Sequence, residues 1–559
     1  DGIDKLYTDL EFSKYVDSGT NVTYSYNDPV ASTVAGKRYR RTSVSGPASG
    51  YTVSGANTIT GNYVAQYQLT LAITAGVPSG LSNITGGTNG TYYDESTNLN
   101  LSANAIVPET ATKRWRFTNW TGDVSGSPNS TNPVSVTMDQ PRSITANYII
   151  QWLLTFAQTG IGSDTGANTV VTVNSSPKVK VDLPFSDWFD DGSTVTYSYE
   201  GTVNTSSPTK RYRRDSVSGI ASGSTVTAAS TITGNYVTQW KLTFAQSGIG
   251  SDTGTNTVVT VGASPKSMAV LPFEDWFDDG ATVTYSYEAL VNTNPASAKR
   301  YRRDSVSGIA SGTAVHAGST ITGNYVTQWQ LTFTASGLPI GIASNTGANT
   351  VVTVNAANKT AGQLAFSDWY DNGTNVSYVY STPISTDPPS STQYELTNGG
   401  SLPSSPINVT SAQTITGIYS VNNYTIHYLA PIDESTLSIY RLNTGKNGRV
   451  IPVKVQIYKN GVPVETGTVL MRVMGSNCAA DDGNSLVEEY ADAGSSNGNT
   501  NLFRWNAGTP GFWIYNLDTK ALGLATNNCY RLDVYLNSYT GPTAIKLSSS
   551  IFALFKPVK

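Results

Sequence analysis

The sequence predicts an all-β protein, an elongated tandem array of small domains ending in a C-terminal β-sandwich, and three observations carry that expectation. First, "GNYVTQW" ends at Trp240 and again at Trp329, and its variant "ANYIIQW" ends at Trp152, giving spacings of 88 and 89 residues. Second, segments between Gly, Asn, Asp and Ser clusters alternate with period two. In "TVTYSYE", Val283, Tyr285 and Tyr287 share one face while Thr284 and Ser286 take the other. Third, β-branched and aromatic residues dominate and strong helix formers are comparatively scarce. With 33 Tyr, 14 Phe and 10 Trp there is ample apolar surface to bury, which argues against disorder.

An earlier cognate, "GNYVAQY", ends at Tyr67 and a later one, "GIYSVNNY", ends at Tyr424. The expected domains are therefore 1–66, 67–151, 152–239, 240–328, 329–423 and a tail, 424–559. Within a unit, "WKLTFAQSG" reads as the opening strand and "NTVVTV" as the second. "LPFEDWFDDG" leads into "TVTYSYE", "KRYRR" follows, and "STITGNY" closes the unit. So many short strands in under 90 residues leave little room for helix.

The first unit is shorter than the others. Leu10 in "LEFSKYV" corresponds to Leu183 in "LPFSDWF", which lies 31 residues beyond Trp152, whereas nine residues precede Leu10. The N-terminal domain is expected to lack its opening strand and part of its second, exposing an unpaired sheet edge and a hydrophobic groove. One reading is a cut fragment. The other is strand complementation by a neighbouring subunit, a heterologous contact that builds a filament when it does not close into a ring. Candidate donors are 424–429 and the last strand, "SSSIFALFKPVK".

Unit 67–151 contains "YQLTLAIT", "YYDESTNLNLSANA" and "RFTNWTGDVSGSPNSTNPVSVTMDQPRSITANY". It resembles the internalin-type B-repeats of microbial surface proteins, with Phe117, Trp120, Gly122, Met138, Ala146 and Tyr148 at the matching places. The resemblance implies a β-grasp-like or Ig-like fold. The next three units depart from it, carrying "RYRRDSVSG" for "F-x-x-W-x-G" and "YSYE" for "L-x-A", so only the fold is carried over to them. The tail resembles the small sandwich module named for a P-x-K-F signature, here Pro452-Val453-Lys454-Val455.

"KRYRRDSVSGIASG" occurs at 210–223 and 299–312, and "KRYRRTSVSGPASG" at 37–50. On a strand, Arg211 and Arg213 point one way and Tyr212 points into the domain. Nucleic-acid binding needs a net basic face. Unit 240–328 has six Lys and Arg against seven Asp and Glu, and the whole chain carries −4. The arginines are expected instead to meet the "DWFDDG" carboxylates within or between domains.

The same carboxylates, Asp187, Asp190, Asp191, Asp275, Asp278 and Asp279, are the candidates for a structural calcium ion, the only cofactor in view, along with "CAADDGN" at 478–484. Turn-forming Asp-Gly explains these letters equally. Cys478 and Cys529 are the two cysteines, expected to pair as a disulfide on the compartment argument. Sequons at Asn21, Asn83, Asn119, Asn372 and Asn408 are candidate N-glycosylation sites that would make the chain a glycoprotein. Two histidines, His316 and His427, sit in different domains and in no catalytic motif, and a carboxylate pair copied with every module marks a turn, so no enzyme is expected. No 18-residue apolar run crosses a membrane. The lack of a signal-peptide pattern is the expectation for a mature form or a fragment. The function expected is a structural subunit of an extracellular filament or cell-surface fibre, self-associating head to tail. The alternatives are an adhesin or stalk that binds glycans or other surface polymers, and a noncatalytic part of a large secreted protein.

Overall fold

The computed structural model describes residues 2–341, 344–478, 484–486 and 500–559. Among them the fold is all-β, and the helical segments are 3-10 turns of three or four residues. No helix among them is long and apolar enough to cross a membrane. The chain forms two compact units: Asp1–Leu242 with Asp275–Thr282 and Ala314–Ser319, and Thr243–Glu274 with Val283–Thr313 and Thr320–Lys559.

In the first unit, residues 152–239 show the plan of a complete repeat. The second half of the strand Arg142–Thr159 lies between Phe185–Asp190, antiparallel to it, and residues 230–235, parallel to it. Residues 233–240 then pair with Lys210–Ser218, and Thr202–Asn204 closes that edge. A second sheet holds Thr169–Val173 between Ser176–Val179 and Tyr197–Tyr199. Leu154 and Phe156 alternate inward from the opening strand and meet Val171, Val195, Tyr199 and Ile232 in one core. Each such apolar side chain contributes about 1.5–3 kcal/mol through burial.

The preceding repeat, 67–151, has the same main sheet. Residues 69–73 run parallel to 142–146, and Lys113–Gly122 pairs with 144–152. Phe117, Trp120, Met138, Ala146 and Tyr148 are core residues. Gly122 has φ +93°, and a Cβ there would lie 2.2 Å from the Ser143 carbonyl oxygen, so the turn after this strand requires glycine. "RYRRDSVSG" occupies the equivalent strand, Lys210–Ser218, with a bulge in the same place, between Arg214 and Ser216 as between Phe117 and Asn119.

In the second unit, residues 331–336 lie between 366–371 and 413–418 in the same arrangement. The tail is a pair of sheets across one core. One sheet runs from residues 424–429 through Val450–Lys459 and Phe512–Asp518 to Arg504–Asn506. The other contains Val469–Ser476, Cys529–Leu536, Ile551–Val558 and Leu442–Lys446. Val453 and Val455 of the "PVKV" stretch are buried in that core. Cys478 and Cys529 form a disulfide with Cα atoms 5.2 Å apart. Asp533, 1% exposed, is held by Arg531 at 2.7 Å, Lys546 at 2.8 Å and the Ser548 hydroxyl at 3.0 Å, so its buried charge is paired.

The first module keeps part of this plan. Thr60–Ile73, Lys37–Ser45 and Val30–Ala31 form a sheet, and Asn21–Val22 pairs with Tyr51–Thr52. Residues 12–17, which align with Phe185–Asp190, are assigned no strand among the described residues. The module aligns with 174–239 without a gap, so the described residues supply no counterpart of 152–173. Both expected donors are also engaged. Ile551–Val558 pairs on two edges, with Cys529–Leu536 on one side and Leu442–Lys446 on the other, and 424–429 pairs with Val450–Lys459.

Candidate functional site: the junction between repeats

Each repeat ends in a strand that continues directly into the next repeat, as Arg142–Thr159 does, and this places one repeat's basic string against its successor's "DWFDD" strand. Side chains two residues apart share a face of a strand. Arg114 and Arg116 therefore reach the same side as Trp188 and Asp190. Arg116 donates from Nε at 3.2 Å and Nη2 at 2.5 Å to the two oxygens of Asp190, a forked contact. The Arg114 guanidinium lies 4.3 Å from the Trp188 ring centre. Between them Gln151 accepts from Arg114 Nε at 2.8 Å and donates to Asp190 at 2.7 Å. Gln151 is buried, and both ends of its amide are satisfied.

The arrangement recurs. Arg213 forks onto Asp278 at 3.2 and 2.8 Å, Arg211 stacks on Trp276 at 4.3 Å, and Gln239 donates to Asp278 at 2.8 Å. Arg302, Asp371, Arg300, Trp369 and Gln328 repeat it. Arg40, Asp94, Arg38, Tyr92 and Gln66 form it at the first junction. The hydrogen bonds from Arg40, Arg116, Arg213 and Arg302 hold the Asp94, Asp190, Asp278 and Asp371 carboxyls below the usual range, against the opposing effect of burial. An indole N–H adds a bond at three of these junctions: Trp152 donates to Asp191 at 2.9 Å, Trp240 to Asp279 at 2.8 Å and Trp329 to Asn372 at 3.0 Å.

At the last junction the charges are exchanged. "TQYEL" stands where earlier repeats have "KRYRR", so Glu395 occupies the place of the forking arginine. It accepts from Lys459 of the tail at 2.9 Å and from Asn422 at 2.9 Å.

The middle of the basic string faces inward. Tyr212 is buried and donates to Asp164 at 2.7 Å, and Lys210 donates to the other oxygen at 2.8 Å. Burial raises the Asp164 pKa, but these two partners outweigh it and the net shift is downward. Tyr301, Lys299 and Asp252 repeat the set.

The six calcium candidates diverge to separate partners. Asp190 and Asp278 go to arginine, Asp191 and Asp279 to indole, and Asp187 and Asp275 each accept the backbone N–H of the following Trp at 2.8 Å. Among the described residues no group of three or more His, Cys, Asp or Glu is placed to hold a metal. Most of "CAADDGN" lies outside the described residues. Asn21, Asn372 and Asn408 are exposed and Asn119 is half-buried. Asn83 is 5% exposed and its amide donates to the Pro78 and Gly80 carbonyls. His316 lies 3.2 Å from Asp279 and His427 3.5 Å from Glu434. Sequence reasoning missed the Trp platforms and the bridging glutamines. The signal was there in the matched two-residue spacing of "R-x-R" and "W-x-D".

Residues 81–151 match the family model described as a divergent InlB B-repeat domain. A comparison with curated proteins finds no match.

Proposed function

We propose that the chain is a noncatalytic structural subunit of an extracellular filament or cell-surface fibre, joined head to tail through its incomplete first module. One observation carries this reading. The same Arg–Gln–Asp clamp couples one repeat to the next from Arg40 through Asp371, while residues 12–17, which align with the accepting strand Phe185–Asp190, are assigned no strand among the described residues. The B-repeat match supports it, because that repeat class is found in surface proteins. So does the chemistry of the recurrent carboxylates, which act as anchors for a neighbouring repeat and need no cofactor for that role. Negative-stain microscopy of native material tests the proposal. Threads with an axial repeat near the length of one chain are expected, and dispersed monomers at high concentration would overturn it.

A further inference from the structure

The tail buries one carboxylate that the repeat junctions do not use. Asp533 lies on Cys529–Leu536, a strand paired on both edges, and is 1% exposed. Its two oxygens meet different groups. Oδ1 accepts from Arg531 Nε at 2.7 Å and from the Ser548 hydroxyl at 3.0 Å. Those donors are fixed in turn: the Arg531 guanidinium lies over the Phe552 ring at 4.0 Å, and Ser548 Oγ accepts the Val534 N–H at 2.9 Å. Oδ2 accepts no hydrogen bond among the described residues, yet Lys546 Nζ stands 2.8 Å from it. The amine therefore touches the carboxyl group off the line along which it would donate, with the Tyr535 ring centre 5.9 Å away on its own side.

We infer that Asp533 and Lys546 condense into an intramolecular amide that braces the tail covalently. Transfer of one proton from the Lys546 ammonium to Oδ2 neutralises both groups, a step that burial favours. The Nζ lone pair, held in contact with the carboxyl group, then attacks Cγ. In the tetrahedral intermediate the negative charge falls on Oδ1, where Arg531 Nε–H and the Ser548 hydroxyl already donate. A second proton passes from Nζ to Oδ2, the Cγ–Oδ2 bond breaks, and one water leaves. The third ammonium proton stays on the amide nitrogen, so atoms and charge balance without oxidant or cofactor. The bond would form where the tail receives its neighbour. The Pro542 carbonyl accepts the Ser385 N–H at 2.7 Å, and the Lys546 N–H donates to the Ser390 carbonyl at 3.1 Å. Ile545 and Lys546 ladder this seat to Tyr535 and Leu536. An amide at Lys546 ties the seat to the middle of the sheet, so a pull along the chain would not peel it away.

Mass spectrometry tests this on the full chain, whether it is recovered as threads or as monomers. With the Cys478–Cys529 disulfide reduced, the chain should weigh one water less than its sequence. Trypsin should spare the Lys546–Leu547 bond. Chymotryptic cleavage after Tyr535 or Tyr539 should leave the flanking pieces joined, and fragmentation should place the branch at Asp533 and Lys546. The variant Lys546→Arg keeps a positive charge beside Asp533, so it should fold and show its full sequence mass. Full sequence mass in the unaltered chain, both when fresh and after prolonged incubation at neutral pH, overturns the inference. So does a missing water that persists in Lys546→Arg, which puts the dehydration at another residue.

Discussion

The repeat at 152–239 and the module at 1–66 align without a gap over their shared length, yet they bury matching residues to different depths. Tyr212 is 2% exposed and its counterpart Tyr39 is 36% exposed; Phe189 is 7% exposed and Val16, in its place, 38%. Ile232 is fully buried and Ile59 is not. The Tyr199 hydroxyl shares its proton between the Ala157 and Ile232 carbonyls at 2.7 and 2.8 Å, while Tyr26 has only the Ile59 carbonyl, at 2.8 Å. The alternation of apolar residues is the same in both. The described residues give the first module no counterpart of two strands that cover the complete repeat, so inward-facing pattern is a property of the strand, and burial is a property of its neighbours.

Equivalent substitutions in the two modules test this directly. Ile232→Ala should cost about 2–5 kcal/mol, the range for emptying a packed site, and Ile59→Ala less than about 1 kcal/mol. Urea unfolding followed module by module measures both, and equal costs would break the comparison. Tyr199→Phe should cost about 1–3 kcal/mol because two buried carbonyls lose their donor, and Tyr26→Phe less than about 1 kcal/mol. Among the complete repeats, Arg213→Ala should cost about 1 kcal/mol or less, since the pair is more than a third exposed, and the loss should shrink in high salt. At the exchanged junction, Glu395→Arg should loosen the tail by a similar small amount, and adding Lys459→Asp should restore it.

Acid gives the smallest effect per junction. Asp94, Asp190, Asp278 and Asp371 have lowered folded-state pKa values, so their contribution is complete above the usual carboxylate range, near about 4. It is lost as pH falls through the lowered values. The midpoint of thermal unfolding should therefore drop below about pH 4, and Asp278→Asn should flatten part of that drop.

Much of this was legible before any coordinates. The 88- and 89-residue spacings located the repeats, and strand alternation put Tyr212 inside with Arg211 and Arg213 on the other face. The neutral charge balance sent the arginines to carboxylates, where they are found. Other features depend on what lies across the sheet. The sequon at Asn83 carries no information about the Pro78 and Gly80 carbonyls that hold its amide. The exchanged junction was hidden because "TQYEL" shares only its tyrosine with "KRYRR". The two donor strands looked available because their alternation is the same whether an edge is free or paired.

The strand Arg142–Thr159 contributes to two cores, with Ile144, Ala146 and Tyr148 in one and Leu154 and Phe156 in the next. A cut at 151/152 therefore falls through the middle of a ladder and leaves each piece with a raw seam. Any single repeat prepared for study needs to borrow the half-strand of its neighbour, spanning about 142–240 in place of 152–239. A gene losing one repeat would rejoin cleanly only where the break falls at the same point in both long strands.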